Sequence, residues 1–304
     1  MGTPESAAKV LQTLIGAKEE IIGVITQPDR PKGRHLKPTS PPVKELALKY
    51  DLPVYQPEKI TRATLEPLKP DLVVVVAYGK LLPKEVLDLP KYGSLNIHAS
   101  LLPRYRGAAP IQHALLDGEK ETGVTIFQLD ETLDTGDIIA QEKVKIEEKD
   151  TVPTLADKLF KLGAELLLKV IADLKAGQKL SKIKQDPSQA TYAPSLKKED
   201  GVINWQKGAS EILNQIRALN PWPGAFTHFK GKLLKIWEAE IEPATLAKHR
   251  GPGYIVELIK GNGFVVETGK GHLMVKEVQL EAGKRMPADD FVRGHGLKIG
   301  DLLE

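Results

Sequence analysis

The four valines of "DLVVVVAYG" (71–79) constrain the fold of this chain more than any other stretch. Because every position is apolar, both faces of such a strand must be buried, as in a central strand of a parallel sheet. "IIGVIT" (21–26) and "GVTIFQL" (123–129) are typical of further strands, and helical patterns at 4–15 and 43–50 lie between them. The alternation predicts a doubly wound α/β domain.

The beginning of the sequence departs from that pattern. A doubly wound domain usually opens with a strand that leads into its first helix, but here the first helical pattern begins at residue 4. We therefore expect that the first strand is missing. Its loss would leave the hydrogen-bonding groups of the neighbouring strands unpaired in the core.

The second half of the chain has a different composition and a different pattern of predicted elements. After the longest predicted helix (154–177), the stretch 178–201 is rich in Lys, Pro and polar residues and has no apolar period, which is typical of a linker. One helix and several short, Gly-punctuated strands then predict an OB-like β-barrel. We predict a first domain at 1–184, a basic linker at 185–202 and a C-terminal domain at 203–304.

Composition narrows the class of protein. The chain has no cysteine, which excludes disulfides and thiolate metal sites and favours a reducing cytoplasm. No apolar run approaches the roughly 18 residues of a membrane span, so we predict a soluble cytoplasmic protein. The net charge of +3 is mild, but cations are concentrated at 29–49 and 175–198.

An amide and an imidazole stand side by side in "GSLNIHASLLPRYRGAAP" (93–110). Residues two apart in a strand point to the same side, so Asn96 and His98 project together where a strand meets its carboxyl-end loop. Such a pair can stabilise an oxygen that gains negative charge during acyl transfer. The alternative is that both side chains only satisfy local backbone groups.

An acidic loop, "LDETLDTGDI" (129–138), follows the strand 123–129 and offers Asp130, Asp134 and Asp137. Strands that are adjacent in sequence often lie side by side, so one of these carboxylates is expected to reach His98 and set its tautomer. The residues alone do not choose among the three. Turn formation is the alternative role for each of them.

These motifs together resemble the folate-dependent formyltransferases. "NIHASLLPRYRGAAPIQ" (96–112) and "LDTGD" (133–137) carry the resemblance, which extends over nearly the whole chain through "TQPDRPKGR" (26–34) and "VVVAYGKLLP" (74–83). It implies a Rossmann-like catalytic domain with Asn96, His98 and Asp134 as catalytic residues. It also implies transfer of the formyl group of 10-formyltetrahydrofolate, without a metal, to the α-amine of methionyl-initiator tRNA for translation initiation.

The same resemblance assigns residues to the folate. It implies that the tetrahydrofolate is contacted by Ser100, Leu101, Leu102 and Pro103. Leu81 and Leu82 would line the pterin pocket, and ordinary core packing is the alternative for these two leucines.

In this interpretation the cations of "PDRPKGRHLKP" (28–38) are expected to contact the tRNA. A Pro- and Gly-rich connection of this length is suited to be a mobile loop that enters the acceptor end of a tRNA, and a solvated loop is the alternative. By resemblance Arg34 is its main contact residue. The predicted tRNA contacts are Arg30, Lys32, Arg34, Lys37, Arg104 and Arg106. The linker and the second domain would add phosphate contacts.

Other functions compete with this one. The same catalytic domain could formylate glycinamide ribonucleotide or an amino sugar nucleotide, or hydrolyse formyltetrahydrofolate, but a small substrate needs neither the basic loop nor the second domain. A dinucleotide-dependent dehydrogenase is disfavoured because no G-x-G-x-x-G follows a strand. A non-catalytic RNA-binding protein would also fit the basic two-domain layout. We expect a monomer without membrane attachment.

Overall fold

The structure, a computed structural model, describes residues 1–32, 37–242 and 249–304, and for residues 32, 37 and 38 it describes the backbone only. The chain forms two compact units. The first consists of Met1–Pro110, Glu121–Ile146 and Thr154–Pro194, and the second of Ile111–Lys120, Glu147–Pro153 and Ser195–Glu304. No helix in these ranges is both long enough and apolar enough to cross a bilayer.

Helices and short strands alternate through the first half of the chain. They are α1 (Glu5–Gly16), β1 (Val24–Ile25), β2 (Arg30–Lys32), β3 (Lys37–Thr39), α2 (Pro42–Lys49), β4 (Val54–Tyr55), α3 (Arg62–Leu65), β5 (Val73–Val75), α4 (Lys84–Leu87), β6 (Ser94–His98), α5 (Pro110–Leu116), β7 (Glu121–Gln128), β8 (Ile138–Lys145) and α6 (Val152–Lys175).

Two strand sets make the sheet of the first unit. β1 pairs in parallel with β4, and the other set has the order β5-β6-β7-β8. β5 and β6 are parallel, as the valine run predicts, whereas β7 and β8 add antiparallel strands at one edge. The valine strand ends at Val75 because Ala77 and Gly79 follow with φ of 45° and 78°.

The position of the expected first strand is held by two residues. The Gly2 amide donates to the Ile25 carbonyl at 3.0 Å, and the Val76 amide donates to the Met1 carbonyl at 2.9 Å. Met1 and Gly2 therefore lie between β1 and β5 and connect the two strand sets. Burial lowers the pKa of the Met1 amine to about 5.

The stretch predicted as a linker is partly fastened to the first unit. Ile183 and Ile138 exchange two backbone hydrogen bonds, of 2.8 and 2.9 Å. Farther along, the Ala193 amide donates to the Arg106 carbonyl at 2.7 Å and the Ala193 carbonyl accepts from Ala109 at 3.0 Å. We call residues 183–194 the strap. Its partners are backbone groups of a loop and of the first residue of β8, so no apolar period marks the strap in the sequence.

The second unit is dominated by an antiparallel sheet. Its elements are α7 (Ala209–Leu219), β9 (Ala225–Phe229), β10 (Lys232–Glu242), β11 (Ile255–Ile259), β12 (Gly263–Glu267), β13 (His272–Leu280), β14 (Met286–Pro287) and α8 (Ala288–His295). The strand order is β11-β12-β13-β10-β9, with β14 paired to β13. Its core includes Ile212, Phe264 and Phe291, each fully buried.

The predicted C-terminal sheet domain is present, but among residues 195–242 and 249–304 no strand pair closes the sheet into a barrel. The end of the chain covers both sheet edges instead. Ile255 of β11 donates to the Asp301 carbonyl at 2.9 Å, and His228 of β9 exchanges bonds of 2.8 and 3.0 Å with Glu304. An irregular segment therefore satisfies the edge groups that a barrel would pair strand to strand.

A buried carboxylate fixes one end of this sheet. Glu267 is 7% exposed and accepts hydrogen bonds from the amides of Arg250 and Gly251 at 2.7 and 2.9 Å and from His249 Nδ1 at 3.1 Å. Burial alone would raise the pKa of Glu267, but these donors outweigh it and hold the pKa below the usual 4.5.

We predict that Glu267→Gln lowers the free energy of unfolding by about 1–3 kcal/mol at neutral pH, because the two amides lose a charged acceptor. A depressed carboxyl pKa stabilises the fold above the unfolded-state value and loses that contribution as the pH falls through the folded-state value. Urea unfolding at pH 7 and at pH 3 should therefore show the gap between wild type and variant closing in acid. A gap of equal size at both pH values would contradict this account.

Candidate active site

The His98 ring is held by a backbone carbonyl. Its Nε2 lies 2.9 Å from the Tyr105 carbonyl oxygen, and a carbonyl can only accept, so Nε2 carries a proton. The other ring nitrogen, Nδ1, faces Asp134 Oδ2 at 3.7 Å, which is longer than a hydrogen bond. His98 and Asp134 are 6% and 8% exposed. Nδ1 is therefore the ring nitrogen that remains for a reaction, with a buried carboxylate beside it.

The structure chooses among the three aspartates of the acidic loop. Asp134 Oδ2 accepts from the Gly107 amide at 2.8 Å and faces the imidazole. Asp130 instead forms a turn, accepting from the amide and hydroxyl of Thr132 at 3.0 Å. The Asp137 carbonyl accepts from Gln128 of β7 at 2.9 Å. Turn formation is thus the role of Asp130, and the partner of His98 is Asp134.

Asn96 shares a strand face with His98. Its backbone pairs with Val75 on one side and Phe127 on the other, and its side chain is half-buried. Within the described ranges the side-chain amide of Asn96 has no hydrogen-bonding partner, so it does not serve a local backbone group. The local alternative therefore fails for Asn96 and holds only for the Nε2 side of His98.

The two residues that face the ring nitrogens of His98 both have a left-handed backbone conformation. Tyr105 has φ of 59° and Asp134 has φ of 54°. Such a conformation costs a non-glycine residue on the order of 1–3 kcal/mol and persists only where surrounding contacts enforce it. The two residues that orient the imidazole are thus the strained positions of their loops.

A cavity of about 580 Å³ opens at the carboxyl ends of β1 and β5. Arg30, Tyr78 and Lys80 contribute to its lining, together with prolines from the start of α1 and of α2. The cavity lies at the end of β5, and β5 is the neighbour of β6, since Val75 pairs with Asn96. The carboxyl end of the sheet, where the His98 imidazole lies, therefore also offers room for a ligand.

Two family models match the chain. "Formyl transferase" matches residues 1–171, and "Formyl transferase, C-terminal domain" matches residues 195–296. A methionyl-tRNA formyltransferase of Caldicellulosiruptor saccharolyticus is 48% identical over 309 residues, covering 100% of this chain and 98% of that protein. A methionyl-tRNA formyltransferase of Bacillus subtilis is 49% identical over 310 residues, covering 100% of this chain and 96% of that protein.

The chain belongs to the methionyl-tRNA formyltransferase family. Formyl transferases use a formyl-tetrahydrofolate donor. A solved N-formyltransferase from Helicobacter canadensis, in complex with folinic acid and dTDP-3-aminofucose, has the same fold, with a TM-score of 0.66 and 19% identity over 94% of this chain and 97% of that one.

The residues predicted to contact the folate divide into two groups. Ser100 is fully buried and donates to the Arg104 carbonyl at 2.6 Å, and Leu102 is buried at 3% exposure. These two side chains are buried inside the loop that follows β6. Leu101 and Pro103 are half-buried and present part of their surface.

The two leucines predicted for the pterin pocket also separate. Leu82 is 7% exposed and packs in the core with Val86 and Tyr78, as the core-packing alternative predicts. Leu81 is 69% exposed and leaves its side chain accessible to a ligand.

Arg106, one of the predicted tRNA contacts, is buried. It is 5% exposed, and its Nε and Nη2 donate to Gln185 Oε1 at 3.1 and 2.7 Å. Arg104 is exposed and stacks over the Tyr105 ring, 5.1 Å from its centroid, and Arg30 is also exposed.

Arg30, Lys32 and Lys37 lie on two short paired strands. β2 and β3 pair antiparallel, with Arg30 opposite Thr39, where the sequence predicts a mobile loop. Arg34 lies outside the described residues, and so do the side chains of Lys32 and Lys37.

Sequence reasoning missed Tyr105, Gln185 and Thr191. Tyr105 acts through its carbonyl, which no side-chain pattern reveals. Gln185 and Thr191 stand in the polar stretch that is typical of a linker, and nothing in their neighbourhood marks them.

Close packing of the acidic loop on β7 yields a prediction. A Cβ on Gly136 would lie 1.7 Å from the Gln128 carbonyl oxygen, so the loop must shift in Gly136→Ala. We expect the free energy of unfolding to fall by about 3 kcal/mol, as for other overpacked sites. Gly16→Ala is the matched control, because nothing lies within 4 Å of its added Cβ. Equal thermal midpoints for the two variants would contradict the prediction.

Proposed function

We propose that this chain transfers the formyl group of 10-formyltetrahydrofolate to the α-amine of methionyl-initiator tRNA. The observation that carries the proposal is the convergence of Asn96, His98 and Asp134 at one sheet edge. It occurs in a chain 48% identical, over its full length, to a methionyl-tRNA formyltransferase.

In the proposed reaction the free amine attacks the formyl carbon and forms a tetrahedral intermediate. The formyl oxygen gains negative charge, which the Asn96 amide and the Nδ1–H of a doubly protonated His98 stabilise. Nε2 does not take part, because the Tyr105 carbonyl engages it.

Collapse of the intermediate breaks the bond between the formyl carbon and N10 of the folate. The attacking nitrogen loses one proton and N10 gains one, so the net step moves a proton from amine to leaving group. Asp134, beside Nδ1, is placed to accept the first proton and to balance the imidazolium charge.

The experiment that tests this function offers labelled 10-formyltetrahydrofolate with Met-tRNA and, separately, with glycinamide ribonucleotide. Formylation of Met-tRNA alone supports the proposal. Formylation of the small amine alone would keep the catalytic site and overturn the tRNA assignment. Release of formate without an acceptor would indicate a hydrolase.

We predict that Asn96→Ala and His98→Ala each lower kcat on the order of 10²-fold, because each removes one donor to the developing oxyanion. The KM for the folate should change less than about threefold, since these donors act mainly in the transition state. Gln178→Ala, at an exposed position of the first unit, is the control. Near-normal turnover in either variant would remove that residue from the mechanism.

We further propose that residues 1–184 carry the chemistry and that 185–202 and 203–304 contribute tRNA contacts, in a monomer that works in the cytoplasm. Arg30 and Arg104 are exposed and support a tRNA-facing role. The roles of Arg34, Lys32 and Lys37 stay predictions.

Arg30→Ala should raise the KM for Met-tRNA and reduce the slope of log affinity against log salt by about 1, because one phosphate contact is lost. Arg62→Ala is the matched control, since Arg62 is exposed on α3 and pairs with Glu66. Measurements of the Kd for Met-tRNA at salt concentrations between about 50 and 200 mM check both variants. An unchanged slope for Arg30→Ala would exclude a phosphate contact.

A further inference from the structure

We infer that Gln185 and Thr191, both in the strap, are positioning residues for the formyl-transfer reaction. Each one hydrogen-bonds to one of the two left-handed residues that orient His98. The inference rests on the proposed function.

Gln185 acts on the acidic loop. Its Nε2 donates to the Asp134 carbonyl at 2.9 Å and to the Gly136 carbonyl at 2.8 Å. Its Oε1 accepts both bonds from Arg106. The amide therefore uses two donors and one acceptor at once, and it connects the loop that carries Asp134 to the loop that follows His98.

Thr191 acts on the loop after β6. Its Oγ1 accepts from the Tyr105 amide at 2.8 Å, and its carbonyl accepts from the Arg106 amide at 2.8 Å. The Tyr105 carbonyl is the group that engages His98 Nε2. Thr191 thus holds the left-handed residue whose carbonyl fixes the ring.

These contacts serve orientation more than core stability. Thr191 is exposed and Gln185 is half-buried, and neither belongs to an apolar cluster of the first unit. Removing them leaves the packed core intact but frees two strained backbone positions to relax. Relaxation would move the Tyr105 carbonyl and the Asp134 carboxylate away from the imidazole.

The proposed test compares variants that keep the shape of each side chain. Gln185→Glu still accepts from Arg106, but it places an oxygen against two carbonyl oxygens. Thr191→Val lacks the acceptor for Tyr105, and Thr191→Ser restores it. The control is Gln178→Glu, which makes the same chemical change at an exposed residue that precedes the strap.

We expect kcat for Met-tRNA formylation to fall on the order of 10²-fold in Gln185→Glu and about 10-fold in Thr191→Val, because small misplacements of reacting groups slow catalysis steeply. Both KM values should stay within about threefold of wild type. Thr191→Ser and Gln178→Glu should keep wild-type kcat, and all four variants should be fully folded at the assay temperature.

Three outcomes would overturn the inference. They are wild-type kcat in both Gln185→Glu and Thr191→Val, failure of Thr191→Ser to restore kcat, and a loss of kcat matched by a loss of folded protein. If wild type itself does not formylate Met-tRNA, the proposed function fails, and the ring signals of His98 in the NMR spectrum still test the strap. These signals should shift in Thr191→Val and not in Thr191→Ser; equal spectra would reject the role.

Discussion

The site depends on one imidazole that is held at one ring nitrogen and faces a carboxylate at the other. The Tyr105 carbonyl fixes Nε2 at 2.9 Å, and Asp134 lies 3.7 Å from Nδ1. A histidine on a rigid strand still rotates about its side-chain bonds, so its direction must come from neighbouring loops. The rest of the first unit can be understood as the means of bringing those two loops to β6.

The two loops are held by close backbone approach. Gly107 and Gly136 have neighbours so near that a Cβ on them would lie 2.7 and 1.7 Å from the carbonyls of Ala193 and Gln128. The Gly107 amide in turn donates to Asp134. Close packing at these two glycines and the hydrogen bonds around them together hold Tyr105 and Asp134 in left-handed backbone conformations. The site is therefore preorganised by hydrogen bonds between irregular segments on a regular sheet.

The sequence predicts the parts of this arrangement that follow from periodicity. Asn96 and His98 share a face because strand side chains alternate, and the valine strand beside them is buried because it has no polar position. The choice of Asp134 over its neighbours needs the fold of the loop, since all three aspartates fit a turn. The burial of Arg106 is not visible in the sequence, because an arginine bound by a distant glutamine looks there like a surface cation.

The strap and the second sheet show the same limit. Residues 183–194 pair with the backbone of a loop and of β8, and the edges of the second sheet pair with residues 300–304. Backbone hydrogen bonds place no demand on side-chain type, so composition alone reads one segment as a linker and the other sheet as a barrel. Long-range pairing of this kind is visible only in the folded chain.

The most direct test of the account is the protonation of His98 measured by ¹⁵N NMR on protein labelled at histidine, with His98→Gln identifying the resonance. The account predicts that Nε2 carries a proton, with the one-bond coupling and downfield proton of a hydrogen bond to a carbonyl. A bare Nε2 would contradict it, because the Tyr105 carbonyl could then not hold the ring and Nδ1 would not be left for the reaction.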